Sequence, residues 1–300
     1  MPIKELADTL ARKGVIRDKF WFSLVAWHDD FDGKLVPGRY RLRQHSSERQ
    51  VLRVLARKEP ALLMVTIPEG LTMNQTAAVL ARQRLCDTAA FLRACTDTAL
   101  LRSFGITAPD AEGFLFPETY ELSTAMSTPD IIRTLLREFA TVLDSLTRSD
   151  SSLVISAGHD RIVPNSDRVP SGKVVTLASI VEKEAQVPEE YPIIAGVFAN
   201  RLRRGMPLQS CATVEYVLGQ HREVLSVADT KTPSLYNTYL HAGLPPGPIC
   251  NPGRRSLAAA LAPARHDYLY FVARGDGSHI FSRTFAEHSA ACRRLSAPSP

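Results

Sequence analysis

The sequence predicts an α+β chain of about two domains, built mostly from helices with a few short strands. Three observations carry this expectation. A helix-pair pattern occurs twice in the N-terminal half. Farther along, apolar residues recur at helical spacing over long stretches. Short apolar runs bounded by Gly and Pro read as strands, the last two as a hairpin. With 300 residues, 45% of them hydrophobic, the chain can bury a sizeable core.

The first copy of the repeat is Leu10-Ala-Arg-Lys-Gly14-Val-Ile-Arg-Asp18; the second, one residue shorter, is Leu80-Ala-Arg-Gln-Arg84-Leu-Cys-Asp87. Each leads into a further short helix, with Phe20, Phe22 and Leu24 in one and Phe91 and Leu92 in the other. The run Leu62-Leu-Met-Val-Thr-Ile67 and the turn Pro68-Glu-Gly70 precede the second copy as a strand. Shifting back by the repeat offset places the equivalent strand of the first copy before Met1. Helices in small repeated modules need such a strand to cover their apolar faces. The reading therefore expects the natural chain to start upstream, with any signal or membrane anchor on that segment. Between the copies, Lys34 to Leu42 reads as a turn and an alternating strand, and Ser46 to Leu55 as an amphipathic helix. Ile132, Leu135, Leu136 and Phe139 define a helix from Pro129 to about Leu146. The polar stretch Ser149 to Ser171 reads as a linker.

In the last domain, Val174, Ala178, Val181 and Ala185 line one helix face, and Pro188 stops the run. Glu182 and Glu184 end this helix. At ~100° per residue they fall on opposite shoulders of the apolar stripe, so only one points into a given cleft. Periodicity leaves open which. A carboxyl among apolar side chains is suited to general acid work, because burial disfavours its charged form; on a helix shoulder it is equally an ordinary solvated charge. The next helix buries Ile194, Val197, Phe198 and Leu202, sets Arg203 and Arg204 against its C-terminal dipole, and ends at Gly205. Ser210-Cys-Ala-Thr213 starts another, closed by Gly219. Gly243 to Gly253, dense in Pro and Gly, is a stiff loop suited to wall a cleft. A short helix over Ser256 to Leu261 follows. Tyr268 to Val272 and His279 to Phe281 form a hairpin about Gly275-Asp276-Gly277, and Phe285 to about Leu295 is the last helix.

A net charge of +5 suits an anionic polymer or a membrane surface but excludes little. The five cysteines (Cys86, Cys95, Cys211, Cys250, Cys292) are scattered without a C-x-x-C, which argues against a disulfide framework and a zinc knuckle. No run approaches the ~18 apolar residues of a membrane span, and the N-terminus lacks the apolar region of a signal peptide. His279, Glu287 and His288 lack a His-Glu-x-x-His, and His279 and His288 lie in different elements, which disfavours a metallohydrolase. Phosphate loops and nucleic-acid signatures are absent from the sequence.

Several motifs in order carry a resemblance. They are Glu112-Gly-Phe-Leu-Phe-Pro-Glu-Thr-Tyr120, Leu177-Ala-Ser-Ile-Val-Glu-Lys-Glu-Ala185 and Val197-Phe-Ala-Asn-Arg-Leu-Arg-Arg-Gly-Met206. Tyr236-Asn-Thr-Tyr239, Gly243-Leu-Pro-Pro-Gly-Pro-Ile249, Tyr268-Leu-Tyr-Phe-Val-Ala273, the region of His279 and Phe281, and Ala286-Glu-His288 continue them. Together they span most of residues 106 to 290, and in this order they resemble the endolytic murein transglycosylases, the MltG or YceG-like family. The resemblance implies LysM-like N-terminal modules followed by a mixed α/β lytic transglycosylase catalytic domain. Its expected division is an incomplete module over 1–58, a second over 59–105, a connecting region over 106–170 and the catalytic domain over 171–300.

It further implies a lyase that cuts nascent peptidoglycan strands internally between N-acetylmuramic acid and N-acetylglucosamine, forming 1,6-anhydro ends without any cofactor or metal. Such an enzyme sits in the bacterial cytoplasmic membrane by one N-terminal helix, its catalytic domain outside the cytoplasm, with peptidoglycan synthases as possible partners. Mapped onto this chain, the catalytic glutamate is Glu184, with Glu182 in support and Gln209, Tyr236 and Asn237 around the sugar. One departure stands out. The family usually reads Gln-Thr-Asp-Pro-Thr where this chain has Gln209-Ser210-Cys211-Ala212-Thr213. Asp-Pro is also a helix N-cap and N1 pair, so the change is read as moving the cap to Ser210. If the aspartate instead orients substrate, activity is altered, and a non-catalytic peptidoglycan-binding scaffold of the wall-synthesis machinery becomes the alternative.

Overall fold

The computed structural model describes residues 3–29, 31, 42, 46–56, 62–148, 172–222 and 225–296. The expected strand at Lys34 to Leu42 (Leu42 apart) and the expected linker at 149–171 lie outside the described residues. The chain forms two compact units, Met1–Val65 with Tyr120–Met126, and Thr66–Thr119 with Ser127–Pro300.

In the first unit, α1 (Ile3–Arg12), α2 (Lys19–His28) and α3 (Glu48–Ala56) enclose a core of Ala7, Leu10, Val15, Ile16, Phe22, Ala26, Val51, Leu52 and Leu55. The strand β1 (Leu62–Thr66) pairs with β2 (Thr119–Ser123) in a two-stranded sheet. The second unit contains α4 (Met73–Arg82), α5 (Thr88–Cys95), α6 (Thr98–Arg102), α7 (Thr128–Arg148), α8 (Gly172–Glu184), α9 (Tyr191–Arg203), α10 (Cys211–Leu218) and α11 (Arg254–Leu261). The hairpin of β3 (Tyr270–Ala273) and β4 (His279–Ser282) and the last helix α12 (Phe285–Ser296) complete it. Among the described residues no helix is long and apolar enough to cross a membrane.

The repeat seen in the sequence is geometric. In α1 the chain closes with Gly14 N–H donating to Ala11 O and Val15 N–H to Leu10 O, at 3.0 Å each. In α4 the equivalents are Arg84 to Ala81 at 2.9 Å and Leu85 to Leu80 at 3.1 Å. Such paired bonds satisfy the orphan carbonyls of a helix end and require a left-handed residue. That residue is Gly14 at φ 67° in one copy and Arg84 at φ 58° in the other. An aspartate then caps the following helix: Asp18 accepts from Phe20 and Trp21, and Asp87 accepts from Ala90.

Sequence periodicity gave α8 a single apolar stripe, whereas its eight consecutive residues Val174 to Val181 are all buried. The helix is covered on several sides, packing against α9, α10 and α11, which is how a helix apolar all round is accommodated. It ends at Glu184; Pro188 begins a 3-10 turn rather than terminating the helix. The register Tyr270↔Ser282 to Ala273↔His279 confirms the expected antiparallel hairpin.

The loop from Gly243 to Gly253 differs from expectation. Its second half, Pro248 to Gly253, is buried against α8 rather than walling a cleft. The Ile249 N–H donates to Ser179 Oγ at 3.0 Å. Close approach here depends on Gly113, at φ 88°, where a Cβ would overlap the Pro248 ring. The buried Asn251 ties three segments: its Oδ1 accepts from Gly113 N at 3.0 Å and Leu115 N at 2.9 Å, and its Nδ2 donates to Leu71 O at 2.9 Å.

Beside Asn251, Glu112 is 4% exposed and accepts the first N–H of α4, that of Met73. Burial pushes its carboxyl from 4.5 up to about 8. A folded-state pKa raised above the unfolded one means that the folded chain holds the proton more tightly, so this stability is complete below the unfolded value and is lost as pH rises through the folded one. Urea unfolding is therefore expected to show stability declining between about pH 4.5 and 8. In Glu112→Gln, which keeps an acceptor oxygen without the charge, that decline flattens.

Candidate active site

The candidate site is assembled at the C-terminal end of α8, where the buried helix delivers two carboxyl groups to opposite sides. Glu182 turns toward α11. Its Oε2 accepts from Gly253 N–H at 2.9 Å and from Ser256 Oγ–H at 2.6 Å. Gly253 is the N-cap residue of α11 and has no side chain to cap it, so Glu182 supplies the missing anion at that helix N-terminus. Against its expected place beside the substrate, the structure shows one carboxylate oxygen, Oε2, engaged by the scaffold. Glu182→Ala is expected to cost about 1–2 kcal/mol in chemical denaturation, the size of a lost cap.

Glu184 turns the other way, toward the segment before α10. It is half-buried, and burial raises its pKa above the usual carboxylate value. The hydrogen bond from Ser210 and the charges of His279 and Arg201 partly offset that rise, while Glu215 reinforces it. The Ser210 Oγ–H donates to Glu184 Oε1 at 2.5 Å. The other oxygen, Oε2, makes no hydrogen bond among the described residues and is not sealed from solvent. A carboxyl in this setting holds its proton to higher pH than a surface glutamate and keeps one oxygen without a protein partner.

The segment 207–210 is held from several directions. Arg201 on α9 is 8% exposed; its Nη1 donates to Leu208 O at 2.8 Å and its Nε to Leu269 O at 2.6 Å. Its guanidinium lies 5.1 Å from the centre of the Tyr270 ring. Gln209 follows in a left-handed conformation, φ 51°, its N–H donating to Thr238 O at 3.1 Å. Its side chain is exposed beside Ser210.

Ser210 occupies the N-cap position of α10, but its side chain caps nothing there. The expected transfer of the cap to Ser210 is thus corrected: its hydroxyl is directed to Glu184. Cys211, exposed, lies with its Sγ 3.1 Å from Tyr239 Oη.

Packing places two further residues expected around the sugar. Asn237 is fully buried. Its Nδ2 donates to Thr230 O at 3.0 Å and Thr232 O at 2.8 Å, and its Oδ1 accepts from Tyr239 N at 3.0 Å. The amide braces its own loop. Tyr236, half-buried, packs its ring against that of Tyr216, centroids 5.1 Å apart and tilted by 39°, with its hydroxyl against Gly247. It is Tyr239, through Cys211, that reaches the Ser210 region.

The groups missed in the sequence are Ser210, Arg201 and the pair Glu190–His279. Glu190 Oε2 lies 2.6 Å from His279 Nδ1, and its Oε1 accepts the His279 N–H at 3.0 Å. Both side chains are nearly buried, 7% exposed for His279 and 11% for Glu190. His279, Glu287 and His288 do not converge: Glu287 accepts from Arg283 N at 2.8 Å, and His288 stacks on Tyr270 at 5.4 Å.

The site therefore holds one desolvated glutamate bonded by a serine hydroxyl, on a mainly helical α+β scaffold. The chain belongs to the YceG-like family, which matches residues 1–294. A relative from Bacillus subtilis called endolytic murein transglycosylase is 28% identical over 96% of this chain and 81% of its own length. One of the same description from Streptococcus pneumoniae is 30% identical over 90% of this chain, which spans 52% of that relative. A crystal structure of a YceG-like protein from Listeria monocytogenes superposes with a TM-score of 0.62 at 31% identity, covering 97% of this chain and 95% of the other.

Proposed function

We propose that this chain is a peptidoglycan lytic transglycosylase that cuts glycan strands internally, with Glu184 as both acid and base. The observation that carries the reading is the half-buried Glu184 carboxyl, raised by desolvation, with Oε1 held by Ser210 and Oε2 without a hydrogen bond among the described residues. A protonated Glu184 donates to the glycosidic oxygen between N-acetylmuramic acid and N-acetylglucosamine. The C1–O4 bond breaks, and the departing sugar keeps the proton. The 2-acetamido oxygen of the muramic residue stabilises the cation developing at C1, a substrate-assisted route that needs no second enzyme carboxylate. Glu184, now ionised, removes the proton of the muramic C6 hydroxyl, and O6 bonds to C1. The product end is a 1,6-anhydro sugar, the carboxyl is again protonated, and no water is consumed.

Gln209, exposed beside Ser210, is the residue we assign to sugar contact, with Tyr239 as the aromatic neighbour in place of Tyr236. Strand termination during wall assembly, a membrane-held location facing the wall, peptidoglycan synthases as partners and the LysM-like nature of the N-terminal repeat belong to the same proposal, supported by the family relationship. No observation in the site favours the scaffold alternative: α10 begins at Cys211 despite the absent Asp-Pro pair, and the Ser210–Glu184 bond is formed. Incubating the purified chain with intact sacculi tests the proposal. Soluble glycan fragments of mixed length are expected; sacculi left uncut under all conditions refute it.

A further inference from the structure

We infer that Ser210 is a positioning residue for the proton transfer: by donating to Oε1 of Glu184, its hydroxyl assigns the transferable proton to Oε2. The inference rests on the reading of Glu184 as acid and base. A neutral carboxyl has one oxygen that only accepts and one that bears the hydrogen. Oε1 is occupied as an acceptor at 2.5 Å from Ser210 Oγ. Oε2, unbonded among the described residues and reached by solvent, is where a glycosidic oxygen can approach. When the proton leaves Oε2, charge spreads onto Oε1, and the Ser210 bond becomes charge-assisted and stronger. The bond is thus worth more after transfer than before it, which is the property that accelerates a step. Taking the C6 hydroxyl proton back onto Oε2 restores the starting arrangement.

The surroundings hold the hydroxyl in this task. Ser210 is 3% exposed. Its N–H donates to Thr238 Oγ1 at 3.1 Å, and its carbonyl accepts from Thr213 Oγ1 at 2.7 Å. The Thr213 and Thr238 hydroxyls lie 2.9 Å apart, closing the ring of contacts. The left-handed backbone at Gln209 sets the direction from which Ser210 enters, and Arg201 fixes Leu208 just before it. A serine at a helix N-cap ordinarily accepts a backbone N–H of the first turn; this one does not.

The charged and titratable groups acting on Glu184 come from several elements. They are His279 on β4, Arg201 on α9, Glu215 on α10, and Cys211 and Tyr239 beside Ser210. None is altered by a change at Ser210, so a change in Glu184 titration on its replacement reports this bond.

The test uses Ser210→Ala and Ser210→Thr in the full chain, with sacculus cleavage followed across pH. Ser210→Ala is expected to lower kcat roughly 10- to 100-fold, the loss of one hydrogen bond to a charged group, with KM little changed. Its alkaline limb moves to higher pH, because the donor that favoured the carboxylate is gone. Ser210→Thr, which keeps the hydroxyl, restores both. A carboxyl 13C titration of Glu184, assigned by the signal absent in Glu184→Gln, reads the same bond without turnover, and its midpoint is expected to rise in Ser210→Ala. An unmoved midpoint in a folded Ser210→Ala protein overturns the inference, as does wild-type kcat in that variant. If instead the wild-type chain leaves sacculi intact while the midpoint does rise, the Glu184 reaction fails and the Ser210 bond stands.

Discussion

Glu184→Gln is expected to reduce sacculus cleavage by roughly 10³-fold or more while leaving the fold intact. General acid–base catalysis by one group is commonly worth about 10²–10⁴-fold, and in the proposed reaction the same carboxyl acts in both halves. Glutamine fits the same space and can still accept the Ser210 hydrogen bond, so packing and the far-ultraviolet circular dichroism should match wild type. It cannot give up a proton to a leaving oxygen or take one from the C6 hydroxyl. Replacing Glu184 also removes a partly buried ionisable group, so a small gain in thermal stability is compatible with the loss of activity. A Glu184→Gln protein that cuts at the wild-type rate contradicts the assignment. Glu182 is the internal comparison: as a cap of α11 it should affect stability first.

Asn251→Ala is expected to destabilise the second unit by about 3–5 kcal/mol. The side chain is fully buried and joins the 70–71 turn, the Gly113-Phe114-Leu115 segment and the Pro-rich loop. Truncation leaves two buried N–H donors, those of Gly113 and Leu115, without their acceptor, each unmet group costing about 1–3 kcal/mol, while Leu71 O keeps only the bond from the backbone N–H of residue 251. Relaxation and water entry reduce the sum, which is why the upper end is not expected. Urea unfolding monitored by intrinsic fluorescence measures the effect; a change below about 1 kcal/mol would show that the segments are held by other means. Asn251→Asp should fare little better, since it replaces the donating amide with an acceptor facing Leu71 O and Glu112.

Local signals made part of this fold legible. Leu10 to Asp18 and Leu80 to Asp87 encode a helix end, a left-handed residue and an aspartate cap within nine residues, so a local reading of the chain finds them. The hairpin about Gly275–Gly277 is equally local. Glu184 was accessible because an apolar helical run ended on it, although choosing it over Glu182 required the wider motif set. The structural reason for the choice is long-range: Glu182 meets Gly253 and Ser256, and Glu184 meets Ser210.

Partners so far apart in sequence leave no periodic trace; the bonds that brace Asn237 are local, but they lie in a loop, which has no period to reveal them. Arg201 is an instructive miss. It lies seven residues after Ile194, four after Val197 and three after Phe198, which puts it on the buried stripe of α9. An arginine at such a position has to find carbonyls, and this one does.

The central claim is that one carboxyl completes the reaction using the substrate's own hydroxyl in place of water. Digesting sacculi in H₂18O and identifying the new muramic ends by mass spectrometry tests it most directly. The account predicts 1,6-anhydro ends that carry no 18O and resist borohydride reduction. Reducing ends labelled with 18O at C1 would contradict it, because water and not the C6 hydroxyl would then have closed the reaction.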